Sequence, residues 1–303
     1  MEKKSQGRAY FFASFVVLFW GTSATAFKIG LRYIDPVQLL FWSSLAATAI
    51  LFTVLAFQKK LHLLKFTSKK DLLFSLAESL LNPFLYYLVL FKAYSLLPAQ
   101  VAQPLNYIWP IVLVVLAALL LKHPLRFTDI VALLISLVGV AFISSQGNMN
   151  IFAKSHPLGV LLAVGSSVIW AGFWIVNMFD KHRNEEVKLF ISFATATIFT
   201  LLYMVAIKNL PVLNLKGIAA SAYIGAFEMG ITFVLWLKAL NSATNTARLG
   251  NFSYLVPFVA LVFVSLVLNE KIVWTTLVGL FLIIGAIVFQ QLFGKKEIKN
   301  EPI

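Results

Sequence analysis

Residues 99–121 read AQVAQPLNYIWPIVLVVLAALLL, with Lys92 some residues before them and Lys122 directly after. No charged residue falls between those two lysines. The apolar positions follow one another without the alternation of a strand. About 20 mostly apolar residues are needed for a helix to cross a hydrocarbon core of about 30 Å. The stretch is therefore read as a membrane-spanning helix. Working outward, ten such runs can be marked: 10–27, 37–57, 72–91, 99–121, 127–145, 158–179, 189–207, 218–237, 246–268 and 272–293. A transmembrane barrel would need alternating strands, which these runs are not. The connections are short and leave no room for a soluble domain. The fold class expected is an all-α integral membrane protein.

Composition agrees. Of 303 residues, 60% are hydrophobic and 12% charged, and the mean hydropathy is +0.87. Soluble domains have about 45–50% apolar and about 25% charged residues. The net charge of +13 would suggest nucleic acid in a soluble chain, but here the basic residues punctuate apolar runs. Topology explains them instead, and no nucleic-acid partner is expected. The chain has no cysteine, which removes disulfides, thiolate chemistry and cysteine metal sites.

Lys and Arg concentrate in cytoplasmic loops. If the N-terminus is cytoplasmic, the outer loops hold Lys28, Arg32, Lys92, Lys154, Lys208, Lys216 and Lys271, and the other 18 of the 25 basic residues lie inside. Both termini are thus expected in the cytoplasm. Lys3, Lys4 and Arg8 before an apolar run ending in Ala24-Thr25-Ala26 imitate a cleavable leader. Cleavage would leave nine helices and break the repeat described next, so the run is kept as a helix.

The halves resemble one another. Leu90-Phe91-Lys92-Ala93 returns as Trp236-Leu237-Lys238-Ala239, an offset of 146 residues, and Tyr107-Ile108-Trp109-Pro110 returns as Tyr254-Leu255-Val256-Pro257, an offset of 147. Five helices per half turn the second half upside down relative to the first, the inverted-repeat plan of many secondary transporters. The expected division is a first repeat over 1–145, a short external linker over 146–156, a second repeat over 157–294 and a basic tail over 295–303.

Enzyme signatures are missing. His62, His123, His156 and His182 are scattered among loops, and Asp35, Asp71, Asp129 and Asp180 lie at helix ends. There is no metal-ligand spacing, nucleophile elbow or phosphate loop. Neither cofactor nor metal is expected. Two acids remain inside apolar runs, Glu78 and Glu228. A charge at bilayer depth costs about 2.5–3.5 kcal/mol on insertion scales, so such residues face a bundle interior or a wet cavity. Ser75, Glu78, Asn82 and Tyr86 would line one face of the third helix, and Ser221, Gly225, Glu228 and Thr232 one face of the eighth. Asn82 and Glu228 each precede a helix-ending lysine by ten residues, or about 15 Å. Both are therefore placed near the midplane, where transporters of this plan bind substrate. Glu228, with Glu78 as a second candidate, is read as a proton carrier or a ligand for a cationic group. The other reading is a buried acid hydrogen-bonded for packing.

Gln100, Gln103 and Tyr107 share a face of the fourth helix, and Arg248, Asn251 and Tyr254 a face of the ninth. They are read as cavity-lining groups for a polar solute, against the alternative of interhelical hydrogen bonding. Arg248 could equally snorkel to the interface. Trp20, Trp170 and Trp174 lie inside the first and sixth helices, where they could offer π surface to a ring or cation or simply pack.

These features together resemble the drug/metabolite transporter superfamily, in its EamA-like ten-helix branch, over about residues 9–293. The resemblance rests on Phe19-Trp20-Gly21, Lys28, Asp35-Pro36, Lys92-Ala93, Pro110, Asn269-Glu270-Lys271, Gly279 and Gly285. The chain departs at Ser43, where the family often has arginine, and at Lys122-His123-Pro124, where a Gly-Glu pair is common. The resemblance implies transport without naming the cargo. The expectation is a secondary active exporter of a small organic metabolite, such as an amino acid or related compound, in the bacterial inner membrane. It would work by alternating access, with protons and the lipid bilayer as further partners. Alternatives are a uniporter or exchanger without proton coupling, a channel, or an integral membrane lipid enzyme. The sequence does not indicate an oligomeric state.

Overall fold

Ten helices in two sets of five follow from the hydropathy of the chain and from caps that recur between the halves. A computed structural model describes residues 4–65, 69–121, 126–147, 156–180, 183–245, 249–250 and 252–293. Among them, nine helices are long and apolar enough to cross a membrane. They are α1 (Gln6–Leu31), α2 (Pro36–Phe57), α3 (Lys69–Leu96), α4 (Ala99–Leu121), α5 (Phe127–Ser145), α6 (Pro157–Met178), α7 (Glu185–Ala206), α8 (Leu215–Ser242) and α10 (Trp274–Phe293). Between the last two lies a shorter apolar helix, α9 (Ser253–Leu268). No strand occurs among the described residues.

The caps explain where these helices begin and end. Ser5 caps α1 through the Arg8 amide, and His156 caps α6 through the Gly159 amide. Asp35 accepts from the amides of Val37 (2.9 Å) and Gln38 (3.1 Å) at the start of α2. Asn184 accepts from Val187 (3.2 Å) at the start of α7. Each such bond satisfies an amide that the helix itself cannot pair. Lys59 just past α2 and Lys208 just past α7 both take positive φ, 56° and 57°. These start and stop signals lie about 150 residues apart in each pair, so the two halves share their punctuation as well as their hydropathy.

Packing shows the same relation. α1 lies against α8 and α9, and in mirror fashion α6 lies against α3 and α4. α2 pairs with its counterpart α7, and α5 with α10. In the last pair the backbones nearly touch: a Cβ on Gly139 would come within 2.8 Å of the Gly279 carbonyl oxygen, and one on Gly279 within 2.5 Å of the Gly139 carbonyl. Small residues permit such close approach between membrane helices. The outward faces carry exposed large apolar side chains, among them Phe11, Leu73, Leu161 and Leu266, as expected of surface that meets lipid tails.

Four helices are not regular. α3 contains a π-helical turn at Leu80–Leu85 and α8 one at Gly225–Gly230. Within the first, Asn82 has extended backbone (φ −140°, ψ 121°) directly before Pro83. α4 breaks after Asn106 and restarts at Trp109. α9 opens with a 3₁₀ turn at Ser253–Leu255 and becomes α-helical at Val256. Each break in one repeat thus has its partner in the other. The single polar stripe expected along α3 is a casualty: the turn rotates everything after residue 80 relative to Glu78. Such bulges cluster at functional sites because they re-aim side chains and free backbone groups.

Candidate functional site

The irregular helices surround one cavity of about 520 Å³. α1 contributes Trp20, Ser23 and Phe27, α3 Tyr86 and Leu90, α6 Trp170 and Trp174, and α8 Glu228, Phe233 and Trp236. Gln103, Asn106 and Tyr107 come from around the break in α4, and Ser253 and Tyr254 from the matching break in α9. The wall continues to Met178, Leu240, Gly250, Gln290 and Gln291. These residues stand at the ends of α6, α8, α9 and α10 that share a face with the start of α1, so the cavity reaches that face.

The other end is closed by specific contacts. Phe27 packs edge-on against Phe91 and Tyr94, with ring centroids 4.9 and 5.2 Å apart. The Lys28 ammonium donates to the carbonyls of Tyr94 (2.9 Å) and Leu97 (3.0 Å), which α3 leaves unpaired at its C-terminus. Beyond this, the two repeats clasp one another. The Glu270 carboxylate accepts from the amides of Ala99 (3.0 Å) and Gln100 (3.1 Å), at the N-terminus of α4. The Gln100 side chain in turn donates to the Lys271 carbonyl (2.8 Å) and accepts from the Val273 amide (3.0 Å). A carboxylate is favoured at a helix N-terminus by both hydrogen bonding and the helix dipole.

Glu228 sits within the π-helical turn of α8. Its oxygens accept from Ser23 Oγ (2.5 Å) and Tyr87 Oη (3.0 Å). The Trp20 indole N–H donates to the Glu228 backbone carbonyl (3.3 Å), which sets the indole beside the carboxylate. Around it the rings form a continuous wall: Trp20 meets Phe233 and Trp236, each at 5.9 Å, and Trp170 meets Tyr86 at 4.7 Å and Phe233 at 6.2 Å. Polar groups line a second side. Tyr86 donates to Asn106 Oδ1 (3.2 Å), and Asn106 donates to Ser166 (2.8 Å). Tyr94 donates to Gln103 Oε1. The Tyr107 hydroxyl donates to the Ser253 carbonyl (2.5 Å), so a side chain at one helix break satisfies backbone at the other.

Of the residues singled out in the sequence, Trp20, Gln103, Tyr107, Trp170, Trp174, Glu228 and Tyr254 line the cavity. Three others stand elsewhere. Gln100 is engaged in the clasp at the closed end. Asn82 is buried at the kink of α3, with its Oδ1 unpaired among the described residues. Glu78 lies in a separate corner, where Asn177 donates to it (3.3 Å) and Arg183 approaches at 3.5 Å. Arg183 also pairs with Asp180 and donates to Ser75. Arg248 and Asn251 lie outside the described residues, as do Lys122, His123 and Pro124.

Several groups at the site escaped the sequence reading: Ser23, Tyr87, Asn106, Phe233 and Trp236. Signals existed for two of them. Trp236 opens the quartet that repeats Leu90–Ala93. Asn106 and Ser253 each precede the repeated Tyr-x-x-Pro by one residue, so a polar residue stands there in both halves. Ser23 and Tyr87 had no such signal, because their importance is contact with Glu228 from two other helices. Among the described residues no group of His, Cys, Asp or Glu could hold a metal ion.

Comparison with known proteins accords with this geometry. An uncharacterized transporter of Bacillus subtilis (strain 168), YvbV, is 23% identical over 300 residues, covering 98% of this chain and 96% of its own. An uncharacterized transporter of Archaeoglobus fulgidus is 25% identical over 276 residues, covering 90% and 93% respectively. An uncharacterized inner membrane transporter of Escherichia coli (strain K12), YhbE, is 24% identical over 199 residues, covering 65% and 62%. A crystal structure at 20% identity superposes with a TM-score of 0.66 over 95% of this chain and 98% of the other, which establishes a shared fold. The sequence pattern of the EamA-like transporter family matches residues 7–145 and again 157–290. With one match in each five-helix half and a cavity between the halves, the chain belongs to the EamA-like transporter family and is a multi-pass membrane transporter, not an enzyme.

Proposed function

We propose that the protein is a secondary active exporter of a small organic metabolite in the bacterial inner membrane, working by alternating access and coupled to protons through Glu228. The observation that carries this reading is a cavity between two inverted halves that reaches one face only and holds a carboxylate with no cationic partner among the described residues. The bias of Lys and Arg supports a cytoplasmic position for the face that bears the start of α1 and the end of α10. A cavity reaching that face is suited to loading from inside. The paired breaks in α3 and α8, and in α4 and α9, supply places where each half can bend. Glu78 has its own arginine and stands apart from the cavity, so a structural role fits it better than coupling.

A pH gradient imposed on proteoliposomes tests the coupling. Wild-type protein is expected to drive solute flux with the gradient, and Glu228→Gln to lose the dependence on it while remaining folded. Flux in wild type that ignores the gradient would leave a uniporter or an exchanger without protons.

A further inference from the structure

The two acids buried in the bundle are held in opposite ways, and the difference identifies a class of ligand. Glu78 is 1% exposed and has the Arg183 guanidinium 3.5 Å away. Its charge is met within the protein. Glu228 receives only neutral donors, the hydroxyls of Ser23 and Tyr87, and forms no ion pair among the described residues. Hydroxyls that donate to both oxygens keep a carboxylate in its acceptor form without cancelling its charge. A buried charge left without a counter-charge is unfavourable, and one supplied from outside is correspondingly rewarded. The cavity that holds the carboxylate is walled by Trp20, Tyr86, Trp170, Phe233 and Trp236. Ring faces attract cations by their quadrupole and offer flat apolar surface besides. No lysine, arginine or histidine occurs among the described residues that line the cavity.

Building on the transporter reading, we infer that the solute is an organic monocation, an amine or quaternary ammonium carried on a flat apolar body. The ammonium sits at Glu228 beside the Trp20 indole, and the body lies along Trp170 and Phe233. The Gln103 amide N–H groups, whose carbonyl oxygen Tyr94 holds, are left to bond a polar substituent on the body. A volume of about 520 Å³ is suited to a solute of this kind, since pockets of about 300–1,000 Å³ take drug-sized ligands. The amino-acid expectation is thereby narrowed: the ammonium has an acidic seat, whereas a free carboxylate on the same solute meets no cationic side chain among the described residues that line the cavity.

The test is a charge series on the wild-type protein in nanodiscs, read by calorimetry in mildly alkaline buffer. Benzyltrimethylammonium is the cation, phenylacetate the anion and phenylalanine the zwitterion. Tetramethylammonium supplies the charge without the ring. Binding of benzyltrimethylammonium is expected to be at least about tenfold tighter than each of the other three, and Glu228→Gln and Trp170→Leu are each expected to weaken it by about tenfold or more. Equal or tighter binding of phenylalanine or phenylacetate overturns the inference, and so does unchanged cation affinity in Glu228→Gln. The ligand series needs no variant, so a misfolded mutant does not spoil it. Proteoliposome flux separates this idea from the one beneath it. Glu228-dependent cation binding with no flux under any gradient would remove the transporter reading and leave the site. Flux of a zwitterion with no cation binding would do the reverse.

Discussion

Glu78 and Glu228 are both glutamates in the kinked pair of helices α3 and α8, yet one belongs to a corner and the other to a cavity. The corner gathers Ser75, Asn177, Asp180 and Arg183 from α3, α6 and the loop that follows α6, and Lys188 of α7 closes it by donating to the Asp180 carbonyl (2.8 Å). Every charge there is paired or hydrogen-bonded, so the corner ties three helices together. The cavity surrounds Glu228 with rings and hydroxyls and gives it no ion pair among the described residues. A buried acid with a built-in partner contributes to architecture. On the function proposed above, one without a partner is held ready for something mobile, a proton or a solute.

That contrast can be broken most directly from the corner. Arg183→Ala strands the Glu78 charge, and removing one partner of a buried pair costs about 3–5 kcal/mol. A loss near the lower figure is expected in chemical unfolding in micelles, because Arg183 is 14% exposed. Adding Glu78→Gln to the same chain should recover only the part due to Glu78, because Asp180 still lacks the guanidinium. A stable single mutant would mean that the corner is not an ion pair in solution. Next in size is the clasp at the closed end. Gln100→Ala leaves the Lys271 carbonyl and the Val273 amide without their partner, a loss of about 2 kcal/mol. Crosslinking across that end should then fall. An unchanged crosslinking yield would remove the clasp as what holds the end shut.

Glu228→Gln sharpens the other half of the comparison. The amide retains an acceptor for Ser23 or Tyr87, so unfolding free energy should move by less than about 1 kcal/mol while gradient-driven flux is lost. A loss of stability as large as that of Arg183→Ala would make the two glutamates alike. The smallest effect is expected at Asn82, the position in α3 that matches Glu228 in the repeat. Its Oδ1 has no partner among the described residues, and replacing an unsatisfied buried polar group by an apolar one is near neutral or stabilising by up to about 1 kcal/mol. Asn82→Leu that abolished flux without lowering the melting temperature would show that the first repeat also carries solute chemistry.

The outline of the fold was legible in the chain because hydrophobic thickness is a local property. Ten apolar runs, an odd number per half and two repeated quartets were enough for ten helices in inverted repeats. Part of the site was legible for the same reason. Trp20, Trp170, Trp174 and Glu228 are anomalies within apolar helices, and anomalies can be found by reading. Gln100 was the instructive case: its polarity marked it correctly as unusual, but a buried glutamine satisfies its groups equally well on a solute or on the backbone of another repeat. Only the meeting of α4 with the turn before α10 decides between them.

By itself, then, the sequence determined which segments enter the membrane, in what order and with which charges excluded, since those follow from solvation of each segment taken alone. Tertiary structure decided which way the polar groups point. The π-helical turns in α3 and α8 rotate the residues beyond them, so Tyr86 comes to line the cavity while Glu78 stays in its corner. Periodicity along a straight helix cannot foresee such a turn. Whether a buried carboxylate has a counter-charge is likewise a property of space: Arg183 lies 105 residues from Glu78 in the chain and 3.5 Å from it in the fold.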